Sequence, residues 1–465
     1  MSTSKPKIGL LPFYFELYDK VLPHVRPKID AFYQTIANSL EERGLVVIKS
    51  AVCRVRTEFD HAMDNFLQAG VDALVTLHLA YSPSLEAADA LVRTKLPIII
   101  LDTTPAYSFG PSQNPEELMY NHGIHGVQDL CNLLIRRGKS FYIEAGHWEK
   151  SDVLDRVALW ARAALLATAI RTANVGLIGK PFEGMADLLV SPDLLRSSIG
   201  IKTVETTFTA LATLLPSEND PEVEDEIKAD YSTFLLKTVD HQAHRTTIRA
   251  CLAVRRWMEK EQLSAFTFNY REINQSTGFP TAPFLEASKA MARGMGYAGE
   301  GDILTAALVG ALASQYPATT FAEMFCPDWE NNCVFISHMG EMNFQLADSK
   351  PTLVKKEMPW VDAESPVMAV GRFRKGEAVL VNLAPGADEN FTLILAPVAM
   401  LEIEGEDRMT DLVRGWMRPK MPLADFLTDF SYLGGTHHSA LVYDADIDNL
   451  IRFGELMGWR TALLE

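Results

Sequence analysis

Short apolar runs alternate with longer amphipathic stretches through the first third of the chain. The apolar runs cover residues 8–13, 45–48, 71–77, 97–101, 141–145 and 175–178, and helical spacing of apolar residues fills stretches such as 27–42 and 154–172. Strands that are apolar throughout, separated by helices of roughly 10–20 residues, predict βαβ units and a parallel sheet covered on both faces. In such a doubly wound sheet ligands bind outside the carboxyl ends of the strands. The segments there are Phe13-Tyr14-Phe15-Glu16, His78-Leu79-Ala80-Tyr81-Ser82-Pro83 and Asp102-Thr103-Thr104.

The middle third keeps this texture. Residues 240–261 predict a long helix, 264–270 a strand and 285–295 a helix, while the acidic, proline-bearing stretch 216–224 predicts a surface connection. After Thr319 short strands at 333–337, 367–373, 378–383 and 392–396 follow one another with turns between, and a helix at 447–457 comes near the end. The expected fold is α/β, with parallel doubly wound N-terminal (1–172) and central (173–318) domains and a mainly antiparallel β C-terminal domain (319–465).

Composition narrows the partners. The chain has 465 residues, 48 % of them hydrophobic and 22 % charged, which suits about three globular domains and excludes a disordered chain. Its net charge of −17 disfavours a phosphate backbone as partner, so no nucleic acid is expected. No run of about 20 apolar residues is present, so no membrane span is expected. The polar start, Met1 to Lys7, leads into a short apolar stretch that reads as a first strand, not a signal peptide. The five cysteines are odd in number, scattered and without a CxxC pair, which argues against a disulfide framework and for the cytoplasm.

Gly294-Met295-Gly296-Tyr297-Ala298-Gly299 satisfies GxGxxG, yet a helix precedes it where a dinucleotide site needs a strand, and Thr319 stands where a ribose-binding acid is wanted. No NAD is expected. The glycines read as a helix end and a close turn, with Glu300 and Asp302 as acids at the start of the next helix. Four places concentrate metal-capable side chains at chain breaks: Glu300, Glu323, His338, and the adjacent His437 and His438 behind two glycines. None of the spacings fits one helix face. A histidine at a strand end is commonly just hydrogen-bonded. Adjacent histidines in extended chain point to opposite sides, so one can ligate a metal while the other faces a substrate.

Taken together and in this order, these segments resemble the L-arabinose isomerases, relatives of the L-fucose isomerases. Ala298-Gly299-Glu300-Gly301-Asp302 and Phe321-Ala322-Glu323 are similar to the family's two glutamate motifs. His338-Met339-Gly340-Glu341 resembles its histidine motif, and Gly434-Gly435-Thr436-His437-His438 its final one. Asn121-His122-Gly123-Ile124-His125-Gly126 resembles its substrate-contacting segment, and Ser82-Pro83 after His78 is also similar. The resemblance spans nearly the whole chain. It departs at Phe15-Glu16 before Leu17-Tyr18, where the family has Gln, at His122 in place of Gln, and at Phe182 in place of Met. These are sugar-contacting positions, so the departures bear on the natural sugar and leave the metal ligands alone.

The resemblance implies an aldose–ketose isomerase converting L-arabinose to L-ribulose, with D-galactose to D-tagatose as an alternative. It implies Glu300, Glu323, His338 and His438 as metal ligands, with Glu300 and Glu323 also the catalytic acid/base pair. His122, His125, Phe182, Tyr270 and His437 are implied as sugar contacts. In the ene-diol route charge develops on O1 and O2, and a divalent cation lowers that barrier by several kcal/mol. Two carboxylates and two imidazoles suit an octahedral Mn²⁺, with Co²⁺ or Mg²⁺ as alternatives, and no thiolate is called for. Which glutamate acts as base stays open. The family further implies a homo-oligomer, a hexamer ahead of a tetramer, with sites at subunit junctions. The rival reading is a sugar-binding or regulatory α/β protein of the same fold without turnover.

Overall fold

The computed structural model describes residues 4–465 apart from Thr238, Trp360, Asp388 and Glu404, so the first residues of the polar N-terminal stretch lie outside the described residues. The chain forms two compact units, residues 4–168 and 169–465.

In the first unit β1 (Lys7–Phe13), β2 (Val46–Lys49), β3 (Ala73–His78), β4 (Ile98–Asp102) and β5 (Tyr142–Ala145) make a parallel sheet in the order β2-β1-β3-β4-β5. β3 is buried at every position, which is why apolar residues dominate it without alternating, Thr76 and His78 being the exceptions. The helix Arg26–Glu42 buries Ile29, Phe32, Tyr33, Ile36, Ala37 and Leu40, a stripe at helical spacing. Gly70, with φ 63°, ends the helix Arg56–Ala69 in the left-handed conformation that glycine adopts without steric cost.

The second unit opens with β6 (Asn174–Ile178) and β7 (Lys202–Thr206), then β8 (Leu235–Lys237), β9 (Ala265–Phe268) and β10 (Gly296–Gly299). Four of these form a parallel sheet in the order β10-β9-β6-β7. The chain leaves β6 toward β7 on one side and returns to β9 and β10 on the other, so the strand order reverses between β6 and β9. Two expectations are corrected. Residues 216–224 are not merely a connection, because Pro221–Thr233 is a helix, capped by Asp220 and carrying proline at its first position, where no N–H is needed. The glycine-rich segment is itself a strand, since the small residues of β10 let the helix Ile303–Ala313 pack closely: a Cβ on Gly296 would lie 2.1 Å from Ala306 O.

Beyond them run β11 (Thr319–Asp328), β12 (Cys333–Ser337), β13 (Thr352–Lys355), β14 (Val367–Val370), β15 (Gly376–Pro385), β16 (Phe391–Met400), β17 (Gly415–Pro419), β18 (His438–Tyr443) and β19 (Arg460–Leu463). The large sheet runs β15-β18-β11-β12-β17-β16-β19, and β15 also pairs with β16, which closes the first six into an antiparallel barrel. β19 adds to β16 in parallel, and β8, β13 and β14 form a separate small sheet. The barrel interior holds Ile336, Leu380, Ile394, Val398, Met417 and Leu441, all nearly inaccessible. The fold class is the expected one, α/β with a β-rich C-terminal part.

Candidate functional site

Glu300 follows β10 directly, and its backbone lies in the left-handed region (φ 64°), a conformation that costs a non-glycine residue about 1 kcal/mol or more. The flanking glycines explain how the surroundings close on it. A Cβ on Gly299 would lie 2.9 Å from His338 Cε1, and one on Gly301 (φ 91°) would lie 2.5 Å from Pro181 Cα. The helix expected to begin with Glu300 and Asp302 is capped by Asp302, whose Oδ1 accepts from Thr305 N at 2.9 Å. Glu300 is left free of that duty.

Barrel register brings in the other groups. β11 runs between β18 and β12, so Glu323 stands opposite both His438 and Ser337, with His338 next along. The register shifts between Met324 and Cys326, a bulge immediately beyond Glu323. His338 Nδ1 donates to Glu341 Oε2 at 2.8 Å, and His438 Nδ1 donates to Asp302 Oδ2 at 3.0 Å. Glu341 is fully buried and receives Tyr297 Oη and Gly340 N, each at 2.8 Å. With both Nδ1 atoms committed, the Nε2 atoms face the glutamates: His338 Nε2 is 3.7 Å from Glu323 Oε2 and His438 Nε2 is 3.8 Å from Glu300 Oε2. Phe321 packs edge-on against both rings at 4.8 Å.

Glu323, His338 and His438 offer ligand atoms within 4.8 Å of one another, as do Glu300, His437 and His438. His438 belongs to both groups, and its buried Nε2 has no hydrogen-bond partner. A buried imidazole nitrogen without a partner is costly unless something takes its lone pair. The donor set, two carboxylate oxygens and two imidazole nitrogens whose rings are oriented by further carboxylates, fits a divalent cation of the Mn²⁺ type.

The adjacent histidines do not diverge as extended backbone suggests. Their rings lie 4.2 Å apart, and His437 Nε2 is 3.9 Å from the same Glu300 Oε2. The reason is that His437 precedes β18 and is drawn to Asp187, whose Oδ2 accepts from its Nδ1 at 2.6 Å. Phe182 N donates to Glu300 O at 2.9 Å, and the Phe182 ring lies 6.2 Å from that of Tyr270. Beside them a cavity of 210 Å³, lined by Lys180–Glu183 and by Asn269, Arg271 and Glu272, opens at the carboxyl ends of β6 and β9, where the strand order reverses.

Burial and mutual charge shape the titration of these groups. Burial pushes Glu300 up, but the nearby imidazoles of His437, His338 and His438 outweigh it and hold the carboxyl below its ordinary range. For Glu323 burial prevails and the carboxyl is raised. Burial pulls His437 down, but the carboxylates of Glu300 and Asp187 raise it to about 9. Glu341 likewise raises His338 against its own burial.

Seven of the nine residues singled out in the sequence thus come together in the unit 169–465. His122 and His125 lie in the unit 4–168. There His122 is buried with Nε2 3.1 Å from Tyr18 Oη, and His125, exposed in the first turn of Ile124–Arg136, has its ring 5.8 Å from that of His122. Asp302, Glu341 and Asp187 escaped the sequence reading as supports of the histidines. The first two stand within three residues of a candidate ligand, which is a local signal. Asp187 is 250 residues from His437 and had none.

Residues 198–315 match the L-arabinose isomerase central domain and residues 318–460 the L-arabinose isomerase C-terminal domain. The chain belongs to the L-arabinose isomerase family. It is 23 % identical over 453 residues to the L-arabinose isomerase of Herpetosiphon aurantiacus, covering 94 % of this chain and 90 % of that one. It is 26 % identical over 351 residues to that of Leuconostoc mesenteroides, with 73 % of each covered. A third relative, from Levilactobacillus brevis, is 23 % identical over 452 residues, 93 % of this chain and 94 % of its own. Among the described residues no helix is long and apolar enough to cross a membrane.

Proposed function

We propose that the protein is a divalent-metal-dependent aldose–ketose isomerase that converts L-arabinose to L-ribulose, with D-galactose to D-tagatose as the alternative pair. The observation that carries this reading is the facing of two buried imidazoles, each oriented through Nδ1 by a carboxylate, toward Glu300 and Glu323. Such second partners are what metal-holding histidines require. The names of the relatives supply the substrate, and the departures at Glu16, His122 and Phe182 are where a different sugar would be selected.

Glu300, Glu323, His338 and His438 would hold the cation, Mn²⁺ in the first place. When bound it would supply Lewis-acid stabilisation for charge developing on O1 and O2 of the sugar. The remaining work falls to side chains. One glutamate oxygen takes the proton from C2 of the aldose and returns it to C1, while the O2 hydroxyl proton passes to O1. The carbon skeleton and the count of electrons are unchanged, so no redox cofactor enters. A carboxylate placed within about 3 Å of the carbon-bound proton is competent for this transfer. Tyr270 and Phe182 present an apolar wall beside it, and His437 offers Nε2 to a sugar hydroxyl. We propose further that the protein is a cytoplasmic homo-oligomer, a hexamer ahead of a tetramer.

The test is a panel of pentoses and hexoses incubated with the metal-stripped and the Mn²⁺-loaded protein and scored for ketose. The reading expects ketose from L-arabinose or a close relative, only with metal. Tight sugar binding with no ketose from any member would favour the regulatory reading.

A further inference from the structure

The segment 179–191 leaves the carboxyl end of β6 and returns toward the site along two ties. Phe182 N donates to Glu300 O at 2.9 Å. Further on, one oxygen of Asp187 accepts twice from the same residue, from His437 N at 3.1 Å and from His437 Nδ1 at 2.6 Å. Asp187 sits on the single 3₁₀ turn Ala186–Leu188, pinned by Leu188, which is only 4 % exposed. The side chain of Asp187 is 38 % exposed and that of His437 is 29 % exposed, so neither is trapped by packing alone. Among the described residues His437 has no other hydrogen-bond partner for its backbone N–H or for Nδ1. Without Asp187 its ring has two soft torsions and an open side.

The two bonds do different things. The backbone bond fixes where the chain stands just before β18, and the ring bond fixes the rotation of the imidazole. Together they leave Nε2 facing the space in front of Glu300, at 3.9 Å from its Oε2. His438, the next residue, is held separately through Asp302. Asp187 therefore bears on one histidine of the pair and not on the other.

We infer that Asp187 is a positioning residue: it fastens the 179–191 segment to His437 and aims that imidazole at the sugar, so that it governs substrate grip and not metal holding. The kinetic part of this inference rests on the isomerase reading; the structural part does not. Both Asp187 oxygen contacts go through Oδ2, so an asparagine can present its amide oxygen to the same two donors while its NH₂ takes the outward place of Oδ1. An alanine cannot.

The experiment uses the full-length protein and the variants Asp187→Ala and Asp187→Asn. Amide hydrogen exchange is measured without added metal, and Mn²⁺ affinity and steady-state kinetics are measured on the sugar that gives ketose. In Asp187→Ala the peptides containing His437 and residues 180–190 should exchange at least about tenfold faster. KM should rise roughly 10- to 100-fold, the range for a hydrogen bond to a charged group. The expected changes in kcat and in Mn²⁺ affinity are less than about threefold. Asp187→Asn should restore slow exchange and most of the KM. Unchanged exchange at His437 in Asp187→Ala would overturn the inference. So would a loss of Mn²⁺ affinity equal to the loss in kcat/KM, which would place Asp187 with the metal, or a lowered melting temperature with KM intact, which would leave it a purely structural tie. If the unsubstituted protein forms no ketose from any aldose, the isomerase reading fails, and the exchange data still decide whether Asp187 fastens His437.

Discussion

Replacing Asp302 by asparagine isolates the orientation of one imidazole from the stability of the helix that follows. Asp302 has two tasks and one oxygen for each: Oδ1 caps Thr305 N and Oδ2 receives His438 Nδ1. Asparagine caps helices about as well as aspartate, so its single oxygen keeps the cap. Its NH₂ then faces His438 Nδ1, which must become an acceptor. The ring proton moves to Nε2, the atom turned toward Glu300 and otherwise without a partner. A protonated Nε2 cannot ligate. Losses of 10- to 100-fold in metal affinity are usual when such an outer partner is changed, which is about 1.4–2.7 kcal/mol. The fold loses little, within about 1 kcal/mol, because no buried donor is orphaned. Asp302→Ala loses both bonds, so the cap (about 1 kcal/mol) and a stranded buried imidazole nitrogen (about 1–3 kcal/mol) add in that variant. Calorimetric titration of the metal-free proteins with Mn²⁺, beside urea unfolding, separates the two effects. Wild-type Mn²⁺ affinity in Asp302→Asn would show that the Asp302 carboxylate does not set the His438 tautomer.

Other outcomes follow from the packing and the buried charges. In the unit 169–465 Arg255 and Lys289 grip Glu226 at 2.8–3.0 Å. Burial alone would raise this carboxyl, but its cationic partners hold it at about 2. A carboxylate lowered on folding stabilises above its unfolded value near 4.5, and this contribution, about 3 kcal/mol, is lost as pH falls toward 2; urea unfolding from pH 6 to 2 should show the slope, and Glu226→Gln should flatten it. In the unit 4–168 burial alone lowers His78 to about 3, so its contribution is full above about 6.5 and is lost on acidification toward 3. Exchange protection in that unit should accordingly begin to fall at the higher pH. Gly301→Ala places a Cβ against Pro181 Cα at a backbone angle of 91° and should cost about 2 kcal/mol or more by thermal unfolding, with catalytic loss exceeding it because Glu300 moves too.

The parallel sheets were legible where strands are buried on both faces. β3 and β4 read as dominantly apolar runs without alternation because both of their faces are buried. β10 did not read as a strand, since Gly-Tyr-Ala-Gly trades side chains for the close approach of a helix and so loses the apolar signal. β11 was also missed, although it carries Glu323: its buried half, Thr319 to Ala322, mixes threonine with a single large apolar residue. The candidate ligands were legible from four local motifs matched in order. Their mutual approach was not, because it is made by barrel register between β11, β12 and β18 and by a strained backbone at Glu300. The pairing of His437 with Asp187 has no local signature at all and exists only in the folded chain.

On the proposed reading Glu300, Glu323, His338 and His438 hold one divalent ion at which the sugar is isomerised. The most direct measurement titrates the metal-stripped protein with Mn²⁺ while bound ion, by electron paramagnetic resonance, and ketose formation are read from the same samples. Activity should rise in proportion to binding and saturate at one ion per chain. Glu300→Ala, Glu323→Ala, His338→Ala and His438→Ala should each lose both signals. Full activity before any ion binds, or Mn²⁺ binding left intact in all four variants, would contradict it.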